Sequence, residues 1–516
     1  MTKNLDILRK SAATLFVAAL LAPAIILTVR ALPLLQSSRW LAHLTQTILP
    51  SYLSTSLGIA VATSTVALLL GGIPAWVVTR CDFHGRRLVS LCALLPLLFP
   101  PYILAGIYSD TWSADFFLSM PALILALAIS CSPFTFIVLR ISFERIPLSF
   151  AEAAKTLGTG WWTRLVQLYI PLYSIPLVTA LLLVAAESIS DFGTAERVGI
   201  ETFSVGLHNL WFGTNDNAVA LLLSFIFLLP VILLVTLIAH HVTSRTPQNP
   251  VMASAHRSAR IVLKPASSIT VVVLSLLSTI PGFALPLFCT VRWGLRQLGK
   301  GNYSSLWRDM LNTLETASLV SVLTIVFCLV ALLLLRTGHH GKWTERLPWL
   351  CLGNYFLPAL VLALVFLMVT ADSSMIGARM GELRDTRIIV VLAVALRLLP
   401  FAMLPMLDRL ARIPPNLLEA ARTLGLGPLR AQYHATFRSV WPALTAGAAL
   451  VFIEAVKELT LSITLQPFGY SALALKIYGF TRFHFIHRAS LWILLLQCTL
   501  IIPLLFLHRY LEREDK

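Results

Sequence analysis

Long, continuous apolar runs constrain the fold of this chain more than any other feature of its sequence. Each run is long enough for a helix to cross the hydrocarbon core of a bilayer, which takes about 20 residues. The runs lie near residues 11–30, 56–78, 88–107, 120–139, 173–190, 217–241, 267–291, 313–335, 348–370, 387–407, 443–462 and 489–508. Their apolar residues are contiguous rather than alternating, which argues against a lipid-facing β-barrel. The sequence therefore predicts an all-α, polytopic membrane protein with about 12 transmembrane helices.

The composition leaves little material for a domain outside the membrane. Of the 516 residues, 57% are hydrophobic and 12% are charged, whereas an ordinary soluble domain is about 25% charged. The formal net charge is +16, which in a soluble protein would indicate nucleic-acid binding. Here the basic residues flank the apolar runs, so we interpret them as topology signals beside membrane lipid and expect no nucleic-acid partner.

The basic residues also predict which side of the membrane each loop faces. With the N-terminus inside, the cytoplasmic segments contain 25 Lys and Arg residues and the outer segments contain 13. One outer loop, 292–312, opposes this assignment because it holds four of the outer basic residues. The total nevertheless follows the positive-inside rule, so we expect both termini in the cytoplasm.

An internal repeat divides the chain into two similar halves. RIPLSFAEAAKTLGTG (145–160) matches RIPPNLLEAARTLGLG (412–427) without gaps, at a spacing of 267 residues. Six spans per half is an even number, so both halves have the same orientation in the membrane, as in a parallel repeat. The same spacing pairs Pro133 with Pro400, Phe134 with Phe401, Glu187 with Glu454 and Asp191 with Glu458. The predicted units are a first half at 1–242, a cytoplasmic linker at 243–266 and a second half at 267–516.

A short helix is predicted in the loop between the fourth and fifth spans of each half. Both loops begin with Arg-Ile-Pro and continue to a glycine, which is Gly158 in the first half and Gly425 in the second. Proline suits the start of a helix, and glycine suits its end or a close contact. A single copy would be consistent with an interfacial helix that only caps the bundle. Two copies at equivalent positions indicate a partner protein with two equivalent docking sites.

These segments resemble the signature of a known family. EAAKTLGTGWWTRLVQLYIP (152–171) is similar to the EAA motif of permeases of ATP-binding cassette importers. EAARTLGLGPLRAQYHATFR (419–438) is similar to the first part of that motif but has Arg438 where the motif has proline. DFGTAERVGIETFSVGLHNLWFG (191–213) and KELTLSITLQPFGYSALALKIY (457–478) resemble the iron(III) branch, which also includes fused thiamine permeases. The resemblance covers the whole chain as two fused type I importer permease halves.

The resemblance implies partners, a location and a set of coupling residues. The EAA helices would dock on two copies of a cytoplasmic ATP-binding cassette subunit, and a periplasmic binding protein would deliver the substrate. The protein would lie in the bacterial inner membrane and switch between inward-facing and outward-facing states as the partner hydrolyses ATP. The expected coupling residues are Glu152, Ala153, Ala154, Gly158, Glu419, Ala420, Ala421 and Gly425.

The sequence contains no nucleotide-binding loop of its own. No G-x-x-x-x-G-K-[ST] occurs, and Gly341-Lys342 is followed by Trp343. The chain therefore lacks the loop that holds ATP phosphates in P-loop ATPases. We expect a transport subunit without enzyme activity and without a cofactor, with ATP bound by the partner.

Acidic residues occur at equivalent places near the ends of the fifth and eleventh spans. Glu187 and Asp191 are four residues apart, and Glu454 and Glu458 repeat that spacing. Ionisable residues in spans are functional candidates because inserting one costs at least about 2.5 kcal/mol. Residues four apart share a helix face, so each pair is predicted to line a pathway for a cation. The alternative is that Lys457 neutralises Glu458, or that the last acid of each pair lies in water.

The remaining polar residues in or near spans do not indicate a metal site. Arg397 in the tenth span is expected to pair with a carboxylate or with helix-end carbonyls. His484 and His487 have H-x-x-H spacing but no Cys or carboxylate companions, and the seven cysteines are scattered without a C-x-x-C. This pattern is more typical of solvated or interface histidines and buried thiols than of a metal centre.

The predicted function is that of a permease subunit that translocates a cation. Iron(III) is the expected substrate, and thiamine or another cationic solute is the alternative. A secondary transporter of the six-plus-six type is the alternative of a different class, although it would not need a matched docking helix in each half. A membrane-embedded enzyme would need catalytic His, Asp or Ser residues clustered at one depth, and the sequence shows no such cluster.

Overall fold

Our computed structural model describes residues 2–36, 46, 49–112, 114–145, 156–213, 217–245, 260–299, 304–337, 352–371, 381–411, 413–414 and 416–514. Within these residues the regular structure is helical, apart from the two-residue strands β1 (Cys81–Asp82) and β2 (Ile261–Val262). The all-α fold class is confirmed.

The helices of the two halves follow one another in the same order. In the first half they are α1 (Thr2–Ala31), α2 (Leu49–Arg80), α3 (Arg86–Leu94), α4 (Pro101–Thr111), α5 (Ala114–Phe117), α6 (Met120–Arg145), α7 (Trp161–Arg164), α8 (Ile170–Ser190), α9 (Gly193–Val198), α10 (Phe203–His208) and α11 (Asn217–Arg245). In the second half they are α12 (Pro265–Thr279), α13 (Leu285–Gln297), α14 (Leu306–Thr337), α15 (Ala359–Ala371), α16 (Ile388–Ala411), α17 (Leu417–Thr423), α18 (Pro428–Gln432), α19 (Arg438–Lys457), α20 (Thr460–Leu465), α21 (Leu473–Arg482) and α22 (Ser490–Glu514).

Most of the predicted spans are helices long and apolar enough to cross a membrane. The described residues contain nine such segments, or ten if the bent pair Arg86–Leu98 and Pro101–Thr111 counts as one span. Two shorter apolar helices, Asn217–Leu233 and Ala359–Ala371, lie at the sixth and ninth predicted spans. Each of the predicted apolar runs therefore contains an apolar helix, and the polytopic class is confirmed.

The third predicted span is not one continuous helix. A 3₁₀ segment ends at Leu98, and α4 then leaves at an angle of 82°. Pro100 and Pro101 cause this break, because proline lacks the backbone N–H that a helix needs at that position. In the ninth span, residues 352–356 are helical and α15 begins directly after Pro358. The third predicted span of each half is thus interrupted.

The sequence repeat is also a structural repeat. The spacing of 267 residues superimposes the limits of α9 on those of α20, and α8 and α19 end at equivalent residues. Each of α8 and α19 is preceded by a π-helical turn, at Leu165–Tyr169 and Tyr433–Phe437. Such turns insert an extra residue into the helix, and they are frequent at functional sites. Here they connect the EAA segments, 152–171 and 419–438, to the spans that follow.

Close packing of three long helices forms the centre of each half. In the first half α2, α6 and α8 contact one another, and in the second half α14, α16 and α19 do so. Gly71 of α2 lies so near α6 that a Cβ atom would come within 2.2 Å of the Ser132 carbonyl oxygen. Small residues allow this approach, which stabilises helix pairs in lipid by van der Waals contact.

The halves are interlocked by exchange of their first helices. α1 packs against α14 and α15 of the second half, and α12 packs against α2 and α3 of the first. Between the halves, Phe134 of α6 and Phe401 of α16 stack with their ring centroids 5.5 Å apart. These two residues are equivalent in the repeat, so their contact marks its pseudo-two-fold axis.

The end of the predicted linker attaches to the first half. Cys81 pairs with Ile261 and Asp82 with Val262 in a parallel arrangement, and Leu263 N–H donates to the Asp82 carbonyl at 3.1 Å. The sequence pattern indicated only a polar connection here. The strand pair holds the start of α12 beside the end of α2.

Candidate functional site

The acidic residues of both halves lie where α8 and α19 end. Glu187 and Glu454 are in the last helical turns. Asp191 and Glu458 follow the helices with extended backbone angles, φ −67° and ψ 123° for Asp191 and φ −63° and ψ 117° for Glu458. The prediction that each acidic pair shares one continuous helix face is therefore wrong, and so is the extension of the eleventh span to residue 462.

Hydrogen bonds to the next helix explain why α8 and α19 stop there. Asp191 Oδ2 accepts from the backbone N–H groups of Thr194 and Ala195, each at 3.1 Å. Glu458 Oε1 accepts from the Leu461 N–H at 3.1 Å. These amides belong to the first turns of α9 and α20, where backbone donors have no partner within the helix. The carboxylates therefore initiate a new helix in each half, at its positive end.

Arg397 of α16 joins carboxylates from the two halves. Its Nη2 donates to Glu187 Oε2 at 2.9 Å, and its Nη1 donates to Glu458 Oε2 at 2.8 Å. The Tyr355 hydroxyl donates to the same Glu187 oxygen at 2.9 Å, and its ring lies 5.5 Å from Arg397 Cζ. The side chain of Arg397 is 3% exposed. The expectation that Arg397 pairs with a carboxylate is confirmed.

Lys457 has a different partner from the one that the sequence suggested. Its Nζ lies 2.6 Å from Glu454 Oε1, one helical turn earlier in α19. Residues three apart face each other on a helix, whereas adjacent residues do not. The alternative in which Lys457 neutralises Glu458 is therefore wrong.

These side chains surround a cavity of about 60 Å³, which we call the charged cavity. It brings together all of the acidic residues that the sequence predicted to line a pathway. Its lining contains four carboxylates against Arg397 and Lys457, so its formal charge is −2 when every group is ionised. The volume is sufficient for a few water molecules or a small ion. The lining residues are Pro100, Pro101, Tyr102, Glu187, Ser190, Asp191, Gly193, Arg397, Glu454, Lys457, Glu458, Leu459 and Thr460.

A larger cavity lies on the other side of an aromatic layer. The layer consists of the Phe134–Phe401 stack, with Lys457 Nζ 5.8 Å from the Phe134 ring centroid and Tyr355 edge-on to Phe401 at 5.2 Å. Beyond it lies a mostly apolar space of about 350 Å³, the apolar cavity, which shares no lining residue with the charged cavity. Its far end is lined by Ser142, Asp408 and Arg409, near the ends of α6 and α16.

The coupling residues of the second half lie on and beside α17. Glu419 and Ala420 are exposed, whereas Ala421 is buried against Ala431 and Ala435. Ala421 therefore holds the loop together rather than presenting a surface. In the first half, Glu152, Ala153 and Ala154 lie outside the described residues.

The glycine of each EAA segment has an exposed leucine before it. Gly158 and Gly425 adopt positive φ angles of 67° and 81°, a conformation that suits glycine. Among the described residues, a Cβ atom added to either glycine would have no neighbour within 4 Å. Leu157 and Leu424, which are equivalent in the repeat, are 79% and 82% exposed. Each half thus exposes a leucine side chain directly before a glycine that has free space around it.

A second contact between the halves surrounds Arg197, at residues that no sequence pattern singled out as a cluster. Arg197 of α9 donates to Asp110 Oδ1 at 2.6 Å and to Ser109 Oγ at 2.7 Å. It also lies 2.8 Å from Nε2 of His484, which follows α21 in the second half. Burial lowers the pKa of Arg197, and the contact with Asp110 opposes this shift. These residues are far apart in sequence, so no spacing could have indicated the cluster.

The histidine pair does not form a metal centre with its neighbours. Among the described residues, no group of three or more His, Cys, Asp or Glu side chains is arranged to hold a metal ion. His484 faces the positively charged Arg197. A neighbouring positive charge disfavours metal binding at this imidazole.

Comparison with known proteins identifies the family. The family described as "Binding-protein-dependent transport system inner membrane component" matches residues 67–247 and again residues 349–514. This chain belongs to that family. Because the match occurs once in each half, the chain is a double permease with two copies of the component.

Relatives within this group differ in how much of the chain they resemble. The "Fe(3+)-transport system permease protein FbpB 2" of Haemophilus influenzae is 22% identical over 480 residues, 89% of each chain. The "Molybdenum transport system permease protein ModB" of the same organism is 28% identical over 157 residues, 28% of this chain and 69% of ModB. The "Sulfate transport system permease protein CysT" of Escherichia coli is 28% identical over 138 residues, 24% of this chain and 50% of CysT.

Membership in the family defines the general role of the chain. It is the multi-pass permease subunit of an ATP-binding cassette importer. Permeases of this family are not enzymes themselves, and they act together with an ATP-binding subunit and a substrate-binding protein. Membership therefore favours the importer over the secondary transporter that the sequence left open.

Proposed function

We propose that this permease translocates iron(III) across the bacterial inner membrane, driven by ATP hydrolysis in a partner subunit. The observation that carries the proposal is the match to FbpB 2, a protein named for Fe(3+) transport, over 89% of both chains. The matches to ModB and CysT, which are named for molybdenum and sulfate transport, cover 28% and 24% of this chain. FbpB 2, which matches most of this chain, is thus named for a metal cation.

The charge of the charged cavity supports a cation over an oxyanion. With four carboxylates and two basic groups, its formal charge of −2 attracts a cation and repels molybdate or sulfate. Carboxylate oxygens are hard ligands, and hard ligands suit a small, highly charged metal ion. Both considerations agree with iron(III).

Thiamine or another organic cation is a second candidate, favoured by the apolar cavity. About 350 Å³ is within the range of cavities that enclose small organic ligands. Aromatic side chains, including Phe134, Phe356 and Phe401, line it. An aromatic lining of this size suits a ring-containing cation better than a bare metal ion.

We also propose that the two EAA segments dock on two copies of the ATP-binding subunit. The exposed Leu157 and Leu424 would enter grooves of the partner, and the open glycines would allow its backbone to come close. The proposed coupling residues remain Glu152, Ala153, Ala154, Gly158, Glu419, Ala420, Ala421 and Gly425. Of these, Ala421 would act through the packing of its loop.

The topology follows from the same proposal. Both EAA segments would face the cytoplasm, together with both termini, as the 25 to 13 distribution of basic residues indicates. The charged cavity would then lie towards the periplasm, where a binding protein delivers substrate, and the apolar cavity would face the cytoplasm. The division into 1–242, 243–266 and 267–516 stays a prediction.

Uptake measurements test the substrate. Cells that produce the permease, its ATP-binding subunit and its binding protein are given radioactive iron(III) citrate, and a matched culture lacks only the permease. We expect iron to accumulate only in the complete system, with no competition from molybdate or thiamine. Accumulation of labelled thiamine without iron would replace the first candidate by the second.

Copurification tests the docking. The double variant Leu157→Glu, Leu424→Glu is expected to lose the ATP-binding subunit during affinity purification, because charge replaces both apolar projections. Leu298→Glu is the matched control, since Leu298 is also an exposed leucine, 59% accessible, at the end of α13. Retention of the partner by the double variant would contradict the docking proposal.

A further inference from the structure

Two buried hydroxyl groups in the charged cavity lack a protein partner. Ser190 Oγ and the Tyr102 hydroxyl make no hydrogen bond within the part of the chain that the structure describes. Both residues are 3% exposed, and both line the cavity. Buried polar groups are nearly always hydrogen-bonded, so an unpartnered one beside a cavity points to a ligand or water inside it.

Arg397 occupies the position of a cation between the two halves. Its guanidinium bridges Glu187 of the first half and Glu458 of the second, at 2.9 and 2.8 Å. The repeat places Ser130 at the equivalent position of the first half, so this cation has no counterpart there. A buried carboxylate is costly unless a positive charge compensates it. Any species that replaces Arg397 between these carboxylates must therefore be cationic.

We propose that the charged cavity is a transit site for the substrate cation, which displaces Arg397 from Glu187 and Glu458. The cation would be bound by carboxylate oxygens and by the free oxygens of Ser190 and Tyr102. The inference rests on the proposed function, because it takes iron(III) as the cation. The hydroxyl groups complete an all-oxygen ligand set of the kind that hard metal ions prefer.

Displacement of Arg397 by the cation is also consistent with how the acidic side chains are arranged in this structure. Among the described residues, no three acidic side chains are arranged to hold a metal ion, and Arg397 and Lys457 are instead paired with carboxylates of the cavity. When the cation leaves, Arg397 pairs again with both carboxylates and compensates one of their two negative charges. The site then attracts a second ion less strongly, which limits leakage through a closed permease.

Binding to the purified full-length chain tests the exchange. Radioactive iron(III), supplied as its nitrilotriacetate complex, is equilibrated with the chain in lipid nanodiscs. Arg397→Gln is expected to lower the Kd at least tenfold, because it frees Glu187 and Glu458. Arg197→Gln is the matched control, since Arg197 is equally buried and also joins a carboxylate, Asp110, but lies outside the charged cavity. Equal affinity of the two variants would overturn the proposal.

The hydroxyl groups provide a second test that leaves every ion pair in place. Ser190→Ala and Tyr102→Phe are each expected to lower the maximal rate of iron uptake three- to tenfold. Ser188→Ala and Tyr478→Phe are the matched controls, because these hydroxyls are also buried and unpartnered but do not line the cavity. If each variant takes up iron at the same rate as its control, the hydroxyls are not ligands and the transit-site proposal is overturned. This test holds even if Arg397→Gln fails to fold.

The same assays separate this inference from the substrate proposal. If Arg397→Gln gains affinity for thiamine and not for iron(III), the transit site stands and the iron assignment fails. If cells accumulate iron(III) but the cavity variants all behave like their controls, the function stands and the transit site fails.

Discussion

In the charged cavity, the two halves of this permease share their acidic residues but not their basic ones. Carboxylates recur at the 267-residue spacing, whereas Arg397 and Lys457 stand where the first half has Ser130 and Ser190. All of the side-chain positive charge in the charged cavity therefore comes from the second half. The helices and carboxylates recur in both halves, whereas the basic side chains that compensate these carboxylates come from the second half.

This difference makes the halves depend on each other electrostatically. Glu187 of the first half relies on Arg397 of the second, whereas Asp191 accepts hydrogen bonds from the Thr194 side chain and from amides of α9 and has no basic partner among the described residues. A first half alone would leave Glu187 in a span without this positive partner, which is unfavourable in a membrane. The exchange of α1 and α12 between the halves has the same consequence for packing. The fused chain thus behaves as one unit.

Substitution of the coupling glycines, Gly158 and Gly425, tests a feature that the two halves share. It is expected to have the largest effect on iron uptake. Gly158→Trp and Gly425→Trp should each lower iron uptake by at least tenfold, because the side chain occupies the open space where the partner docks. Equal losses from the two variants would show functional symmetry at the EAA segments. Uptake is measured per permease molecule, after immunoblotting of membranes.

Gly299→Trp is the control for this pair of glycine variants. Gly299 is exposed, has φ 80° and has no described residue within 4 Å of an added Cβ, so it has the same backbone strain away from the EAA segments. A similar loss of uptake in this control would mean that backbone strain, not docking, explains the effect. Normal uptake in either EAA variant would refute the coupling role of that segment.

Moving a lysine from one half to the other tests the difference in basic residues between the halves. Ser190→Lys places the second half's lysine in the first half and changes the formal charge of the cavity from −2 to −1. We expect iron uptake to fall about fivefold below that of Ser190→Ala, because the added ammonium repels the cation. The double variant Ser190→Lys, Lys457→Ser restores the charge and should recover uptake to the level of Ser190→Ala, which also lacks the hydroxyl. No recovery would show that the position of the charge, rather than its sum, is what matters.

Neutralising one acid in each half should affect stability unequally. Glu454→Gln leaves Lys457 buried without a carboxylate partner and should lower the free energy of unfolding by about 3 kcal/mol. Glu187→Gln should cost about half as much, because Arg397 keeps Glu458. Thermal unfolding in detergent measures both values, and uptake kinetics report whether the acids line the pathway. Equal destabilisation would contradict the one-sided compensation.

Substitutions of the stacked phenylalanines should have the smallest effect on stability, and the effect should be equal for the two halves. Phe134→Leu and Phe401→Leu each remove half of the ring contact at 5.5 Å. Such contacts contribute about 0.5–1.5 kcal/mol beyond burial, so a double-mutant cycle should return a coupling energy in that range. A coupling energy near zero would show that the aromatic layer does not join the halves.

Much of the fold was predictable because it depends on local patterns. The apolar runs indicated the spans, and the gapless match of 145–160 with 412–427 indicated the repeat. The wrong elements were those that depend on a hydrogen bond beyond the helix. Asp191 and Glu458 end their helices because they accept from amides of the next one, and a hydropathy pattern contains no information about such acceptors.

The sequence predicted which acidic residues form the candidate site but not which residues form ion pairs with one another. The four acids could be named from their spacing, and Arg397 was expected to meet a carboxylate. Which carboxylate it meets, and that Lys457 turns to Glu454, depends on the approach of α16 to α8 and α19. Ser190, Tyr102 and the Arg197 cluster had no recurring spacing at all.

The order of residues alone determined that this protein is a duplicated helical bundle in a membrane, because hydrophobicity and repetition act along the chain. It also determined that carboxylates recur in both halves. Only the tertiary structure decided that one guanidinium bridges the two halves and that a charged and an apolar cavity lie on opposite sides of an aromatic layer. The physical reason is that ion pairing in a low-dielectric interior depends on distances of a few ångströms between residues far apart in sequence.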